Sequence, residues 1–198
     1  MQDLLKIESA SEEDIKKILL TFISVRFNDS QEPHDVETFL HSKAISFENM
    51  DLARTYLVFS EYQKRNILVG YFSISNKPLV IAKRNFQKLP NNLKRKLMGI
   101  GHKTEMDNYE IKGYLLGQLG KNYSEEALKT KAIDGKDLLQ LATDAMHVAY
   151  KASGGRIFYL ECDDDEKLKS FYRDSGFREL EDFKSVNGYC IFVRKIEC

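Results

Sequence analysis

The chain has 198 residues, of which 42% are hydrophobic, and it carries 30 Lys and Arg against 30 Asp and Glu. This length and apolar content suffice for one substantial core, so we expect a single domain over residues 1–198. The zero net charge excludes any inference about a charged partner from the whole-chain balance. No apolar run approaches the ~20 residues that a transmembrane helix needs, so we expect no membrane partner.

The cysteines and the first residues indicate the compartment. Three cysteines, Cys162, Cys190 and Cys198, are odd in number and lack the spacing of metal ligands. They are typical of reduced thiols inside a cell. The opening residues, MQDLLKIESASEED, become polar and acidic within ten residues, unlike a signal peptide. We therefore expect a cytoplasmic protein that binds no metal.

In the first part of the chain, helical patterns precede a β-hairpin. Ser11 and the three acids that follow it predict a helix N-cap, and apolar residues at helical spacing extend the helix over 12–24. A weaker pattern predicts a second helix at 35–41. Two β-rich runs at 55–60 and 66–75, separated by a polar turn, predict an antiparallel hairpin.

The second half of the chain alternates strand and helix patterns. The run at 156–162 has almost no polar alternation, which is typical of a strand covered on both faces. Gly154 and Gly155 end the helix before this run, and Gly176 ends the helix after it. In chain order, the pattern predicts a strand at 110–121, a helix at 135–152, a strand at 156–162, a helix at 166–174 and strands at 178–183 and 189–195.

This order of elements, which starts with a short apolar run at 4–7, predicts the fold class. The strand–helix–strand unit between 110 and 162 is typical of neighbouring parallel strands, whereas the hairpin is antiparallel. We therefore expect an α/β fold, also classed as α+β because its sheet is mixed. Its central sheet contains parallel and antiparallel strands and is flanked by helices.

A basic segment at 77–103 interrupts the neutral background. It contains eight Lys and Arg and no Asp or Glu, so the rest of the chain is acidic. One interpretation is a surface that binds phosphates. The other is a solvated helix, LPNNLKRKLM, in which Leu93 and Leu97 pack inward while the basic residues between them face water.

The start of the long helix is a candidate anion site. Gly135 begins the helix, so the N–H groups of Gly135, Lys136 and Asp137 lie at the positive end of its dipole. Glycines at 113, 117 and 120 on the preceding strand allow close approach of a ligand or of other backbone. The alternative is that Gly135 only starts the helix and the other glycines ease packing.

Four short segments, all within residues 55–180, carry a more specific signal. They are ILVGYFSIS (67–75), YLLGQLGKN (114–122), IDGKDLLQLA (133–142) and LECDDDEKLKSFYRDSGF (160–177). In this order they resemble the GNAT superfamily of acetyl-CoA-dependent N-acyltransferases. The resemblance implies a GNAT-like central mixed β-sheet with two splayed parallel strands, which admit the pantetheine arm of acetyl-CoA.

The resemblance also implies catalytic roles. Tyr172 corresponds to a tyrosine that acts as general acid and protonates the departing CoA thiolate, and the N–H of Leu119 or Gly120 would hold the oxyanion. Glu161 is the candidate base for the amine proton, with Asp163 as the other choice. The alternative for Tyr172 is an aromatic side chain that only packs beneath the sheet.

The CoA-binding residues that the resemblance implies come from two segments of the chain. They are Leu119, Gly120, Lys121, Asp134, Gly135, Lys136, Asp137 and Leu138. The segment departs from the family pattern, because in Thr130–Gly135 only the last glycine matches the usual pyrophosphate loop. The carboxylates at 134 and 137 would also repel an anion.

Three hypotheses for the function follow. The first is an N-acetyltransferase that moves the acetyl group of acetyl-CoA to a primary amine, by direct attack on the thioester. The second is acetylation of aminoacyl-tRNA through the basic 77–103 segment, because the layout resembles the toxin branch of the superfamily. The third is a non-catalytic binding module with the same fold. The candidate partners are acetyl-CoA, an amine acceptor, tRNA and, in a homodimer, a second copy of the chain.

Overall fold

The structure is a computed structural model of the chain, and it describes residues 1, 11–25, 34–98, 102–103 and 108–197. The apolar run at 4–7 and Cys198 lie outside the described residues. Two compact units divide the chain: Met1–Ser75 with Gln118–Asp144, and Asn76–Gly117 with Ala145–Cys198. The single domain expected over 1–198, and the basic insertion within it, stay predictions.

The helices and strands are numbered here in chain order. They are α1 Glu12–Leu19, α2 Asp35–Ser42, α3 Ala44–Asn49, β1 Arg54–Tyr62, β2 Arg65–Ser75, β3 Leu79–Ala82, α4 Lys83–Lys88, α5 Asn91–Met98, β4 His102–Lys103, β5 Asn108–Ile111, β6 Gly113–Lys121, α6 Glu125–Thr130, α7 Gly135–Ser153, β7 Ile157–Cys162, α8 Glu166–Asp174, β8 Arg178–Lys184 and β9 Cys190–Lys195. Among the described residues, none of the helices has the length and apolar character needed to cross a bilayer.

Several elements confirm the sequence prediction. Helix α8 has the predicted bounds, and α7 and β7 differ from theirs by a single residue at one end. Ser11 caps α1 as predicted, because its side chain accepts a hydrogen bond from the Asp14 N–H at 3.1 Å. The predicted hairpin is β1 and β2, which pair antiparallel. Gln63 and Lys64 join them with φ values of 50° and 62°, the backbone of a tight two-residue turn.

The helix predicted over 12–24 is wrong beyond Leu19. After the helix, the Ile23 N–H donates to the side-chain oxygen of Asn122 at 3.0 Å, and the Ser24 N–H donates to Glu37 at 2.7 Å. These side chains, distant in sequence, replace the helical carbonyls as acceptors. The apolar periodicity therefore continues past the point where the backbone leaves the helix.

The strand predicted at 110–121 is wrong as a single element. It breaks at Lys112 into β5 and β6, which lie in different sheets. The Lys112 carbonyl accepts a hydrogen bond from the Arg156 N–H at 3.0 Å. Strands β3 and β4, which were not predicted in the basic segment, pair antiparallel with β5. The loop expected between 118 and 135 also contains helix α6, capped by the Ser124 side chain.

In the first unit, the strand order is β1-β2-β6. Helices α1 and α2 bury their apolar faces against β2, which explains why these short amphipathic segments are helical. The core of this unit comprises Ile15, Leu19, Phe22, Phe39, Leu40, Ala44, Leu68 and Tyr71.

Asn122 ties three parts of the first unit together immediately after β6. Its side chain is buried, with the residue only 1% exposed. The side-chain oxygen accepts from the N–H groups of Ile23 at 3.0 Å and Ser124 at 2.9 Å. The side-chain nitrogen donates to the carbonyls of Thr21 at 3.2 Å and Leu68 at 2.7 Å. One amide group therefore fixes the segment after α1, strand β2 and the start of α6.

In the second unit, the strand order is β6-β7-β9-β8. Strands β6 and β7 pair in parallel, with Gly113–Leu116 opposite Ile157–Leu160, whereas β9 pairs antiparallel with both of its neighbours. The mixed sheet and its flanking helices confirm the predicted fold class. The splaying of β6 and β7 beyond this stretch stays a prediction.

The two faces of β7 and β9 bury different partners in the second unit. Ile157 and Tyr159 belong to a core that includes Leu93 and Leu97 of α5, together with side chains of β3 and β5. Phe158 lies on the opposite face, where its ring packs on Phe177 after α8. Helix α8 and the basic helices α4 and α5 therefore cover opposite faces of this sheet.

Replacing Asn122 by Ala should destabilise the first unit. The substitution leaves buried N–H and C=O groups without partners, which costs roughly 3 kcal/mol in the free energy of unfolding. Urea unfolding measures the change, with Asn91→Ala as the control because Asn91 is exposed. A loss of similar size in both variants would contradict the role assigned to Asn122.

Candidate active site

Tyr172 lies in the last turn of α8, and the local sequence explains how that turn is built. Asp165 starts the helix, because its side chain accepts from the Leu168 N–H at 2.9 Å. Gly176 ends it with a left-handed φ of 83°. The Phe177 N–H then donates to the Tyr172 carbonyl at 3.0 Å, which closes the helix in a Schellman motif. The Ser-Gly-Phe ending is thus a helix terminator.

The ring of Tyr172 is buried among aromatic side chains, and the residue is 7% exposed. Its ring centroid lies 5.1 Å from that of Phe171 and 5.9 Å from those of Phe177 and Phe192. Tyr172 therefore has the packing role that was considered as the alternative. The packing involves its ring and gives no role to its hydroxyl.

The hydroxyl of Tyr172 has no hydrogen bond within the part of the chain that the structure describes. In that part, Thr55 Oγ1 is the one side-chain polar atom that is fully buried without a partner. The Tyr172 hydroxyl is therefore not fully buried, although the residue as a whole is only 7% exposed. Burial of the ring raises the pKa of Tyr172 above its ordinary value, so the phenol stays protonated at neutral pH. The group is a proton donor held by a rigid ring.

Glu161 and Tyr172 are not brought together. Side chains alternate along β7, so Glu161 shares a face with Tyr159 while Cys162 shares the face of α8. Tyr172 packs on Phe192 of β9, which belongs to the α8 face. The two residues predicted as acid and base therefore lie on opposite faces of the second unit's sheet.

The acidic run before α8 has structural roles. Asp165 is the N-cap. Asp164 binds two lysines, with 2.9 Å to Lys169 Nζ and 2.8 Å to Lys184 Nζ. Hydrogen bonds from Lys184 and Lys169 hold the pKa of Asp164 far below its ordinary value. Both carboxylates stabilise the start of α8.

The predicted CoA-binding residues at the end of β6 lie in the first unit. Gly120 is buried, and Leu119 and Lys121 are half-buried. A Cβ on Gly120 would lie 2.5 Å from a methyl group of Val36 and 2.9 Å from the ring of Phe22. Core packing by itself therefore requires glycine at this position.

Gly70 brings β6 and α7 together within the first unit. A Cβ there would lie 3.1 Å from the Gly120 carbonyl oxygen and 3.3 Å from a methyl group of Leu138. The predicted residues at the end of β6 and at the start of α7 thus meet beside this glycine. These two segments are neighbours, as the resemblance implies.

The N-terminus of α7 is already capped by a carboxylate. Asp134 Oδ1 accepts from the N–H groups of Lys136 at 2.7 Å and Asp137 at 2.9 Å. In return, the Asp134 N–H donates to Asp137 Oδ2 at 3.0 Å. The Asp134 carboxylate therefore occupies the N–H groups of Lys136 and Asp137. Phosphate binding by these groups stays a prediction.

Asp134 is charged as well as capping. Hydrogen bonding to the Asp137 backbone lowers its pKa below the ordinary value. Burial opposes this change, while hydrogen bonding to the Lys136 backbone and the nearby charge of Lys121 add to the lowering. The carboxylate thus occupies the anion position as an anion. A phosphate group can use these amides only when the Asp134 side chain turns away.

Sequence reasoning missed an ion-pair network behind Tyr172. Lys169 and Arg173, spaced four residues apart on α8, both bind Glu179 of β8, at 3.0 and 2.7 Å. The i, i+4 spacing of the cations is visible in the sequence. Their common acceptor is not, because it depends on the position of β8 beside α8. Within the described residues, no group of three or more His, Cys, Asp or Glu side chains is arranged to hold a metal.

Comparison with known proteins identifies the fold. No protein-family model matches the chain, and no curated protein matches its sequence. The AtaT toxin, solved as a tyrosine-to-phenylalanine mutant, matches 89% of this chain and 82% of its own, with a TM-score of 0.57 and 17% identity. The chain has the GNAT fold.

Two further AtaT structures share the GNAT fold with this chain. AtaT complexed with acetyl-methionyl-tRNAfMet matches 88% of this chain and 85% of its own, with a TM-score of 0.55 and 21% identity. AtaTR bound with AcCoA matches 88% of this chain and 87% of its own, with a TM-score of 0.54 and 18% identity. The fold predicted from the four sequence segments is confirmed.

Removing the Asp134 carboxylate should change anion binding and helix stability in opposite directions. If α7 begins at the pyrophosphate site expected of the GNAT fold, Asp134→Ala frees two N–H groups and removes a competing charge. We expect acetyl-CoA to bind roughly fivefold more tightly by calorimetry, and the free energy of unfolding to fall by about 1 kcal/mol.

The matched control is Asp144→Ala, which removes an exposed carboxylate from the same helix. It should leave acetyl-CoA affinity unchanged. Weaker binding in Asp134→Ala would mean that this carboxylate helps the ligand and does not compete with it.

Proposed function

We propose that this protein is an N-acetyltransferase that moves an acetyl group from acetyl-CoA to an amine, and that the amine belongs to an aminoacyl-tRNA. The observation that carries the proposal is the state of Tyr172, with a buried ring, a protonated phenol and a hydroxyl that is not fully buried. A side chain with only a packing role has no need of that hydroxyl. The GNAT fold supplies the reaction class.

Acetyl-CoA supplies an acyl group already activated as a thioester. The amine nitrogen attacks the carbonyl carbon, the carbon–sulfur bond breaks, and the nitrogen loses one proton while the sulfur gains one. Tyr172 donates the proton that the sulfur gains. The N–H of Leu119 or Gly120 holds the carbonyl oxygen as it becomes negative.

Glu161 is the proposed base for the amine proton, acting through water. Its position on the opposite face of β7 from Tyr172 separates the base from the acid.

Binding and turnover of acetyl-CoA test different residues. The predicted CoA-binding residues belong to the first unit, and Tyr172 and Glu161 belong to the second. Binding without turnover would instead favour the third hypothesis, a binding module that kept the fold.

Aminoacyl-tRNA is the acceptor supported by two independent observations. AtaT, which shares the fold, is known in complex with acetyl-methionyl-tRNAfMet. In this chain, helices α4 and α5 bury Phe86, Leu89, Leu93 and Leu97, and they turn basic side chains outward. Arg84, Lys88 and Arg95 are exposed there. Such a face suits contacts with phosphates.

Replacing Tyr172 by Phe should slow turnover without weakening donor binding. The ring and its packing remain while the proton donor is lost, so kcat should fall roughly 100-fold and acetyl-CoA affinity should change less than twofold. Thiol release measures turnover, and calorimetry with acetyl-CoA measures binding. Since the pKa of Tyr172 is raised, its ionisation should not limit the rate of the parent protein below pH 10.

Tyr56→Phe is the control, because Tyr56 is a half-exposed tyrosine of β1 in the first unit. Equal turnover of the parent protein and Tyr172→Phe would remove Tyr172 from the mechanism. No binding heat with acetyl-CoA at high micromolar concentration would contradict the proposed function itself.

Reversing charge on the basic helices should weaken only the tRNA reaction. We expect Arg84→Glu combined with Arg95→Glu to raise KM for aminoacyl-tRNA at least tenfold and to flatten its salt dependence, because phosphate contacts are lost. Turnover with a small amine should stay the same. The control pair is Lys151→Glu with Lys195→Glu, an equal charge change at exposed positions of the same unit. If both pairs change KM for aminoacyl-tRNA equally, the basic face is a solvated surface without a specific role in tRNA binding.

A further inference from the structure

Helix α8 presents two different faces to the second unit. On one side, the ring of Tyr172 packs among Phe171, Phe177 and Phe192. On the other side, Lys169 and Arg173 project towards strand β8. The helix is only nine residues long, so its own backbone does little to fix its rotation about its axis.

Glu179 of β8 receives both cations of the helix. Its Oε1 lies 3.0 Å from Lys169 Nζ, and its Oε2 lies 2.7 Å from Arg173. The side chains of Glu179 and Lys169 are nearly buried, at 9% and 13% exposed. Burial by itself would raise the pKa of Glu179, but hydrogen bonds from Lys169 and Arg173 outweigh it and keep the carboxylate charged. This is a two-point contact between helix and strand, one turn of helix apart.

The same strand position is linked to Tyr172 through its neighbour. Glu179 pairs with Phe192 across β8 and β9, and the Phe192 ring packs on the Tyr172 ring. Glu179 therefore holds one side of α8 by charge, while its cross-strand partner supports the other side by ring contact. A rotation of the helix must break at least one of the two.

Each cation keeps a second carboxylate when Glu179 is removed. Lys169 also binds Asp164 at 2.9 Å, and Arg173 also binds Glu166. Breaking a buried ion pair is severely destabilising when it leaves the remaining charge buried and unpaired. A substitution at Glu179 does not leave Lys169 or Arg173 in that state. The variant should therefore fold, and its defect should be a changed orientation of α8.

We propose that Glu179 is a positioning residue that sets the direction of the Tyr172 hydroxyl by clamping Lys169 and Arg173 of α8 to strand β8. This inference rests on the proposed acetyltransferase function. Because a general acid must lie within hydrogen-bond distance of the leaving atom, a small rotation of α8 is enough to slow proton transfer while donor binding in the first unit is unaffected.

The test compares Glu179→Gln with Glu166→Gln. Both remove one carboxylate that binds Arg173, but only Glu179 links the helix to β8. We expect Glu179→Gln to lower kcat roughly tenfold at unchanged KM for acetyl-CoA, and Glu166→Gln to leave both within twofold. In a Tyr172→Phe background, Glu179→Gln should cause no further loss, since the group that it positions is gone. Equal losses in both backgrounds would overturn the proposal.

A second readout does not depend on activity, so it separates failure of this inference from failure of the proposed function. The measurement is an NMR spectrum of protein whose tyrosine rings are isotopically labelled. The resonance of Tyr172 among the 10 tyrosines is assigned by its disappearance in Tyr172→Phe. We expect Glu179→Gln to shift or broaden that signal and Glu166→Gln to leave it in place. An unmoved Tyr172 signal in Glu179→Gln would overturn the positioning role, whether or not the protein turns over acetyl-CoA.

Discussion

The hydrogen bond from the Phe177 N–H to the Tyr172 carbonyl closes helix α8 and brings the two rings into contact. Gly176 makes that bond accessible, because its left-handed backbone turns the chain back over the last helical turn. The chain thereby anchors the phenol of Tyr172 by its ring. The ring supplies the packing and the proposed catalytic role falls to the hydroxyl, so a core contact and that role are compatible at Tyr172.

The start of α7 imposes the opposite constraint. A helix N-terminus offers a small number of N–H groups, and Asp134 already uses those of Lys136 and Asp137. The cap stabilises the helix, but any phosphate must displace it and approach a carboxylate held in its charged form. The protein therefore stabilises a long helix with N–H groups that are also the proposed site of the acetyl-CoA phosphates, and we expect this cap to lower the affinity for acetyl-CoA.

Local signals explain which parts of the fold could be predicted from sequence. Helix α8 is defined by a cap at Asp165 and a stop at Gly176, both within a few residues of the helix, so its bounds were correct. The end of α1 was wrong because the acceptors after it are side chains of other elements, and one of them, Asn122, is about a hundred residues away. The break at Lys112 was missed for the same reason, since its carbonyl partner is Arg156.

The candidate site shows the same difference between local and distant contacts. Tyr172 was predicted from a motif of consecutive residues, whereas the ion pairs of Glu179 were missed because its partners lie on another element. The faces of Glu161 and Tyr172 depend on which side of β7 receives α8, which the strand pattern does not specify. The capping role of Asp134 could have been predicted from the sequence, because Asp immediately before the first helical residue is a common N-cap.

The central claim is that this GNAT fold binds acetyl-CoA at the end of β6 and the start of α7. Hydrogen–deuterium exchange with and without acetyl-CoA tests this most directly, because it reports protection peptide by peptide. The account predicts increased protection in peptides covering residues 118–122 and 134–138. Unchanged exchange in both of these regions at saturating acetyl-CoA would contradict it.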